Sequence, residues 1–92
     1  MPKFESGEVC ITNGIADMIA TDAGFAQFVQ DSVSRHLSGD WGVVNQDDTE
    51  ANNDALTEGD RILSAYVRND IKIWIITEGD RSSTCVMKPE EY

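Results

Sequence analysis

One histidine, two cysteines and seventeen carboxylates are the side chains of this sequence with the most chemistry to offer. His36 precedes Asp40 by four residues, the spacing of one helical turn, and a carboxylate so placed could orient an imidazole for proton transfer. No serine or cysteine can be paired with it as a nucleophile from the sequence. A histidine in the last turn of a helix also has two plainer uses, favouring the helix dipole or packing beside Trp41, and we read His36 in that way. Glu78, Asp80, Arg81 and Ser82 gather two acids, a guanidinium and a hydroxyl around Gly79. Paired acids can cleave a glycosidic bond or hold a divalent cation. The same residue types collect in β-turns for backbone reasons, with Arg81 there to neutralise a neighbouring acid. His36, Glu78 and Asp80 are thus the candidate set for a small hydrolase or metal-dependent enzyme, the alternative to a non-catalytic reading.

Two metal patterns fail. Cys10 and Cys85 lie far apart, with no C-x-x-C and a single histidine in the chain, which argues against zinc. Both sit in apolar stretches and read as buried free thiols, although a shared sheet would allow a disulfide. The span from Asp47 to Glu58 has acids at both ends, as a calcium loop does. Its third and fifth positions are Thr49 and Ala51, and Asn52 stands where the loop requires glycine. No metal or cofactor is expected.

The distribution of acids is more informative. Residues 1–60 carry twelve carboxylates against Lys3 and Arg35, which accounts for the whole net charge of −10, whereas residues 61–92 carry five of each sign. From Leu37 to Asp60 there are seven carboxylates and neither lysine nor arginine. On a helix Asp47, Glu50, Asp54 and Glu58 align at three- and four-residue spacing, repelling one another by only about 0.2–0.5 kcal/mol per pair. Such a surface repels nucleic acid and attracts basic grooves on proteins. Four charges over eleven helical steps of about 1.5 Å place one every ~5.5 Å, against one per ~3.4 Å along a DNA strand. Mimicry of DNA would therefore need a second row from Asp17, Asp22, Asp31 or Asp40. A solvated face that aids solubility is the plain alternative. Trp41, flanked by Asp40 and Gly42, could anchor a partner at the rim of this surface or close the core. The partner-binding candidates are Asp40, Trp41, Asp47, Asp48, Glu50, Asp54 and Glu58. Direct binding of nucleic acid is disfavoured, because a chain of charge −10 has no basic cluster to collect phosphates.

These side chains need elements to hold them. Glu8 to Thr12 reads as a short edge strand. Thr12 or Asn13 can cap a short helix with Ile15, Met18 and Ile19 on one face. Thr21 or Asp22 starts a longer one with Phe25, Phe28, Val29, Val33 and Leu37 as its apolar stripe, Arg35 and His36 in its last turn and Gly39 as its stop. A third helix is expected from about Asp48 to Glu58, with Asp47 and Glu50 as a capping box, Gly59 as its end, and a thin apolar face of Ala51, Ala55 and Leu56. From Arg61 the period changes to two. Ile62–Val67 and Ile71–Thr77 flank the turn Asn69-Asp70, and Ser83–Met87 follows until Pro89 ends it. The expectation is one α+β domain over residues 1–92, a three- to four-stranded antiparallel meander with two to three N-terminal helices packed on one face. No apolar run reaches the length of a membrane span, and the first residues lack the plan of a signal peptide, so a cytoplasmic protein is expected.

Several stretches together resemble a family of small, mostly uncharacterised bacterial proteins found on plasmids, phages and other mobile elements, often labelled plasmid-related proteins. They are His36-Leu37-Ser38-Gly39-Asp40-Trp41-Gly42, Ala51-Asn52-Asn53-Asp54-Ala55-Leu56, Arg61 to Tyr66, Ile73 to Ser82 and Pro89-Glu90-Glu91-Tyr92. Where that family usually has glycine in the hairpin, this chain has Asn69-Asp70-Ile71. A restriction–modification label also occurs in the family, but a methyltransferase needs a cofactor domain with a Gly-rich strand–turn–helix, which is lacking here. The resemblance implies a genetic context. Joined to the acidic surface, it leads to a non-enzymatic, protein-binding accessory factor of a mobile element, an inhibitor of a host nucleic-acid-handling or defence protein of restriction or CRISPR type. A homodimeric regulatory protein joined through a sheet edge is a third possibility.

Overall fold

Alternating hydrophobicity after Arg61 gives three successive strands, β2 (Ile62–Arg68), β3 (Ile71–Thr77) and β4 (Ser83–Met87), in a computed structural model that describes residues 2–92. Asn69 and Asp70 both take positive φ, 51° and 65°, as a two-residue hairpin requires if its twist is to match the strands. β2 pairs antiparallel with β3, and β3 with β4. The fourth strand, β1 (Glu8–Ile11), lies at the edge as expected but runs parallel to β4, with Glu8 opposite Ser83 and Ile11 opposite Val86. The sheet is therefore mixed, in the order β1-β4-β3-β2, and not an antiparallel meander throughout. Period-two hydrophobicity carries no sign of direction. A parallel neighbour needs only a long crossover, and the helices and two strands between β1 and β4 supply one.

The helices are α1 (Asn13–Thr21), α2 (Ala23–Leu37) and α3 (Gln46–Glu58). Asp22 breaks α1 from α2 by adopting an extended backbone, and its carboxylate accepts the Phe25 N–H at 3.1 Å. The free N–H groups of α1 find a remote partner: the Glu91 carboxylate accepts from Gly14 N at 3.0 Å and from the Thr12 hydroxyl at 2.6 Å. α3 begins two residues earlier than the acid pattern indicates. Asn45, not Asp47, is its N-cap, accepting from Asp48 N at 2.8 Å, and Gly59 ends it in the left-handed region at φ 77°.

α1 and α2 bury Ile15, Phe25 and Val29 against Tyr66, Ile73, Ile75 and Val86 of the sheet. A second cluster joins Trp41, Ala55 of α3 and Ile62, with Phe4, Val44 and Leu56 around it. The outer edge of β2 is closed by other chain segments. Val43 N donates to Ala65 O at 2.8 Å, and Ala65 N donates to Trp41 O at 3.1 Å. Two residues earlier on β2, the Asn52 amide behaves as a short strand of its own: it accepts from Leu63 N at 3.1 Å and donates to Leu63 O at 2.7 Å. Gly42 makes the close approach possible. It has φ 76°, and a Cβ there would collide with the Ala65 carbonyl. The other edge, along β1, is exposed throughout.

Candidate functional site

The buried residues of α2 are Phe25, Val29, Ser32 and His36, so the inward face of the helix contains two polar positions. His36 is fully buried. Its Nδ1 lies 2.6 Å from Ser64 Oγ and its Nε2 2.8 Å from Thr77 Oγ1. Thr77 Oγ1 is in turn 2.7 Å from Thr84 Oγ1, which donates to the Ser6 carbonyl at 2.7 Å. A carbonyl can only accept, so the proton of Thr84 is spent there and Thr77 must donate to Thr84. Thr77 then accepts from His36 Nε2–H, and Nδ1 accepts the Ser64 proton. Every hydroxyl in the row is satisfied by a neutral imidazole in one tautomer. Burial pushes the His36 pKa down to about 4, in keeping with that arrangement. The ring packs edge-on to Trp41 and Phe4, with centroids 5.9 Å and 5.3 Å away. Packing beside Trp41 is as expected from the sequence. Service to the helix dipole is not, because an uncharged ring cannot provide it.

Asp40 takes no part in this row. Its carboxylate forms a two-pronged contact with Arg35, at 2.8 Å and 3.3 Å, and accepts Gly42 N at 3.1 Å. The guanidinium beside it holds its carboxyl below the usual range. Glu78 and Asp80 are exposed at the β3–β4 turn, with Asp80 accepting the Ser82 N–H at 3.0 Å. The supposed catalytic set is thus divided between a sealed imidazole and two solvated acids on a turn. Arg81 does not neutralise an acid side chain. It donates to the Ala55, Asp60 and Glu78 carbonyls at 2.7, 2.7 and 3.2 Å, and so ties the end of α3 to the turn, over the ring of Phe4. Among the described residues no three His, Cys, Asp or Glu side chains are grouped so that they could hold a metal ion.

The partner-binding candidates separate into two groups. Trp41 is 5% exposed, and its indole N–H donates to Asn53 Oδ1 at 3.0 Å. It closes the second core cluster and offers no anchor to a partner, because an apolar ring gains more by covering the α3–β2 seam than by facing water. Asp40 is paired, as described. Asp47, Asp48, Glu50, Asp54 and Glu58 are all exposed on α3, whose buried positions are Asn52 and Ala55. Ala51, expected in its apolar face, is exposed. The ion pairs among the described residues are Arg35–Asp40 and Arg68–Asp22, and neither touches α3. Two of the four acids that a second row would need, Asp22 and Asp40, are thereby compensated, which weakens the case for DNA mimicry.

Asn52, Asn53, Ser64, Thr77 and Thr84 escaped the reading of the sequence. For Asn52, Ser64, Thr77 and Thr84 the signal was present as polar residues at positions that the helical and strand periods assign to the interior, whereas Asn53 is exposed and carried none. The apolar groove between β1 and the helices, about 520 Å³ and lined by Val9, Ile11, Ile19, Ala23, Val29 and Val33 among others, was equally hidden because its walls come from distant segments. No helix of the described residues is long and apolar enough to cross a membrane. Comparison with protein-family models, curated proteins and solved structures finds nothing that matches this chain.

Proposed function

We propose that this chain is a non-enzymatic binding module whose α3 presents carboxylates to a basic groove on a partner protein that handles nucleic acid. One observation carries the reading: Asp47, Asp48, Glu50, Asp54 and Glu58 all face solvent on one helix, and among the described residues no cation is paired with them. Arg81, at the end of that helix, is committed to backbone carbonyls. A field of one sign attracts a basic surface over roughly a Debye length and accelerates the encounter. The likeness of several stretches to plasmid- and phage-borne proteins supports an inhibitor of a host defence enzyme, of restriction or CRISPR type, as the concrete version. Asp40 and Trp41 are left out of the docking surface, the first compensated and the second enclosed.

The test is capture of such an enzyme on the immobilised chain at low and high salt, beside a variant in which the five α3 acids become Asn or Gln. Binding should weaken steeply as the screening length contracts from about 30 Å at 0.01 M to about 3 Å at 1 M salt, and the variant should lose it at every concentration. Capture indifferent to salt, or equal for the variant, refutes the proposal.

A second reading, a homodimer joined edge to edge, is favoured by the contrast between the two sheet edges. β2 is closed by Asn52 and by residues 41–43, whereas the outer edge of β1 has no strand beside it among the described residues, and its Val9 and Ile11 are 50% and 41% exposed. Light scattering on the purified chain decides this: the mass of two chains supports it and the mass of one dismisses it.

A further inference from the structure

The two cysteines stand opposite each other on neighbouring strands. Cys10 of β1 is the register partner of Cys85 of β4. Thr84 and Val86, on either side of Cys85, are buried toward the helices, so both cysteines leave the sheet on the other face. Adjacent strands lie about 4.8 Å apart, inside the roughly 4.4–6.8 Å Cα window that a disulfide accepts. Both thiols are free. Cys10 is exposed, contrary to the expectation of a buried thiol, because β1 is an edge strand; Cys85 is half-buried between it and β3.

We propose that Cys10 and Cys85 form a reversible dithiol–disulfide pair, oxidised by exchange with a small-molecule disulfide, which fastens the edge strand β1 to β4. The exposed Cys10 reacts first. Its thiolate attacks one sulfur of the reagent RSSR, forming Cys10–S–SR and expelling RS⁻, which takes up the proton that Cys10 released. Cys85 then gives up its proton, its sulfur attacks the Cys10 sulfur, and the second RS⁻ leaves as RSH. The protein loses two hydrogens with their electrons, and one RSSR becomes two RSH. Burial, the adjoining Cys10 and the Glu91 carboxylate push the Cys85 thiol up to about 12, so it does not compete as the first nucleophile. The bond would fix the strand that carries Val9 and Ile11, one wall of the apolar groove, and would constrain nearly the whole unfolded chain.

Oxidised mercaptoethanol is the suitable reagent, since it is neutral and a chain of charge −10 repels anionic disulfides. The native protein should lose the mass of two hydrogens, give a linked pair of peptides containing Cys10 and Cys85, and melt on the order of 10 °C higher until dithiothreitol restores it. Cys85→Ser should stop at a mercaptoethanol adduct on Cys10, and Cys10→Ser should stay unmodified over the same time. An adduct that persists on Cys10 of the unsubstituted protein overturns the proposal. So does a bond between two molecules, an unreactive Cys85→Ser variant, or a linked form that melts no higher than the reduced one.

Discussion

Three hydroxyls and one carbonyl oxygen order the protons around His36, and that order has a consequence for stability. In an unfolded chain the imidazole titrates near 6.5, whereas burial holds it to about 4 in the fold. Between those values the unfolded chain takes up a proton that the folded one refuses. The contribution is therefore fully present above pH 6.5 and is lost as the pH falls toward 4, by about 3 kcal/mol across the window. Urea midpoints measured at intervals through that range should decline for the natural sequence. His36→Gln should be less stable at neutral pH, with a flatter decline, and equal slopes for the two proteins would show that His36 is not the group responsible. The sequence identified the turn on which His36 sits. Its burial became visible only once Ser64 and Thr77, from different strands, were brought beneath it.

At the scale of elements, the junction of α3 with β2 explains a stretch that attracted attention for another reason. Ala51-Asn52-Asn53-Asp54-Ala55-Leu56 looked like a poor amphipathic helix with acids along it. Asn52 closes the edge of β2, Asn53 holds the Trp41 indole, Ala55 enters the second cluster, and the acids remain outside. Asn52→Ala should destabilise by about 2–4 kcal/mol, since it leaves both the N–H and the C=O of Leu63 without partners. Chemical denaturation measures the cost, and faster hydrogen exchange at Leu63 locates it. A loss below about 0.5 kcal/mol, the usual size for an uninvolved surface position, would mean that water replaces the amide. Helix and strand identities were legible because their apolar periods are strong. The cap of α3 and the direction of β1 were not, the first because Asn45 and Asp47 are both competent caps and the second because a strand period has no polarity.

For the whole molecule the governing quantity is the net charge of −10, which arises in the first sixty residues, where among the described residues only Asp22 and Asp40 form ion pairs. Mutual repulsion of these groups opposes compaction and is screened by salt. The melting temperature should therefore rise as sodium chloride is added from low ionic strength. Replacing the five α3 acids by their amides halves the net charge, and should reduce that response while raising the melting temperature at low salt. An unaltered salt response would show that the acids of α3 are not where the repulsion is concentrated. This measurement needs no partner, so it tests the electrostatic premise of the proposed function separately from the function itself.

The sequence by itself determined the α+β class, the approximate place of the main helices and strands, and the acidic bias of the first sixty residues. It also determined the exposure of the α3 carboxylates, since these follow from local periodicity and from the cost of burying charge. Only the tertiary structure decided that His36 is enclosed and neutral, that Trp41 faces inward and that Cys10 meets Cys85. Each of these depends on which distant segments become neighbours. That is set by the crossover which lays β1 beside β4 and α2 across β2 and β3, and no spacing along the chain records it.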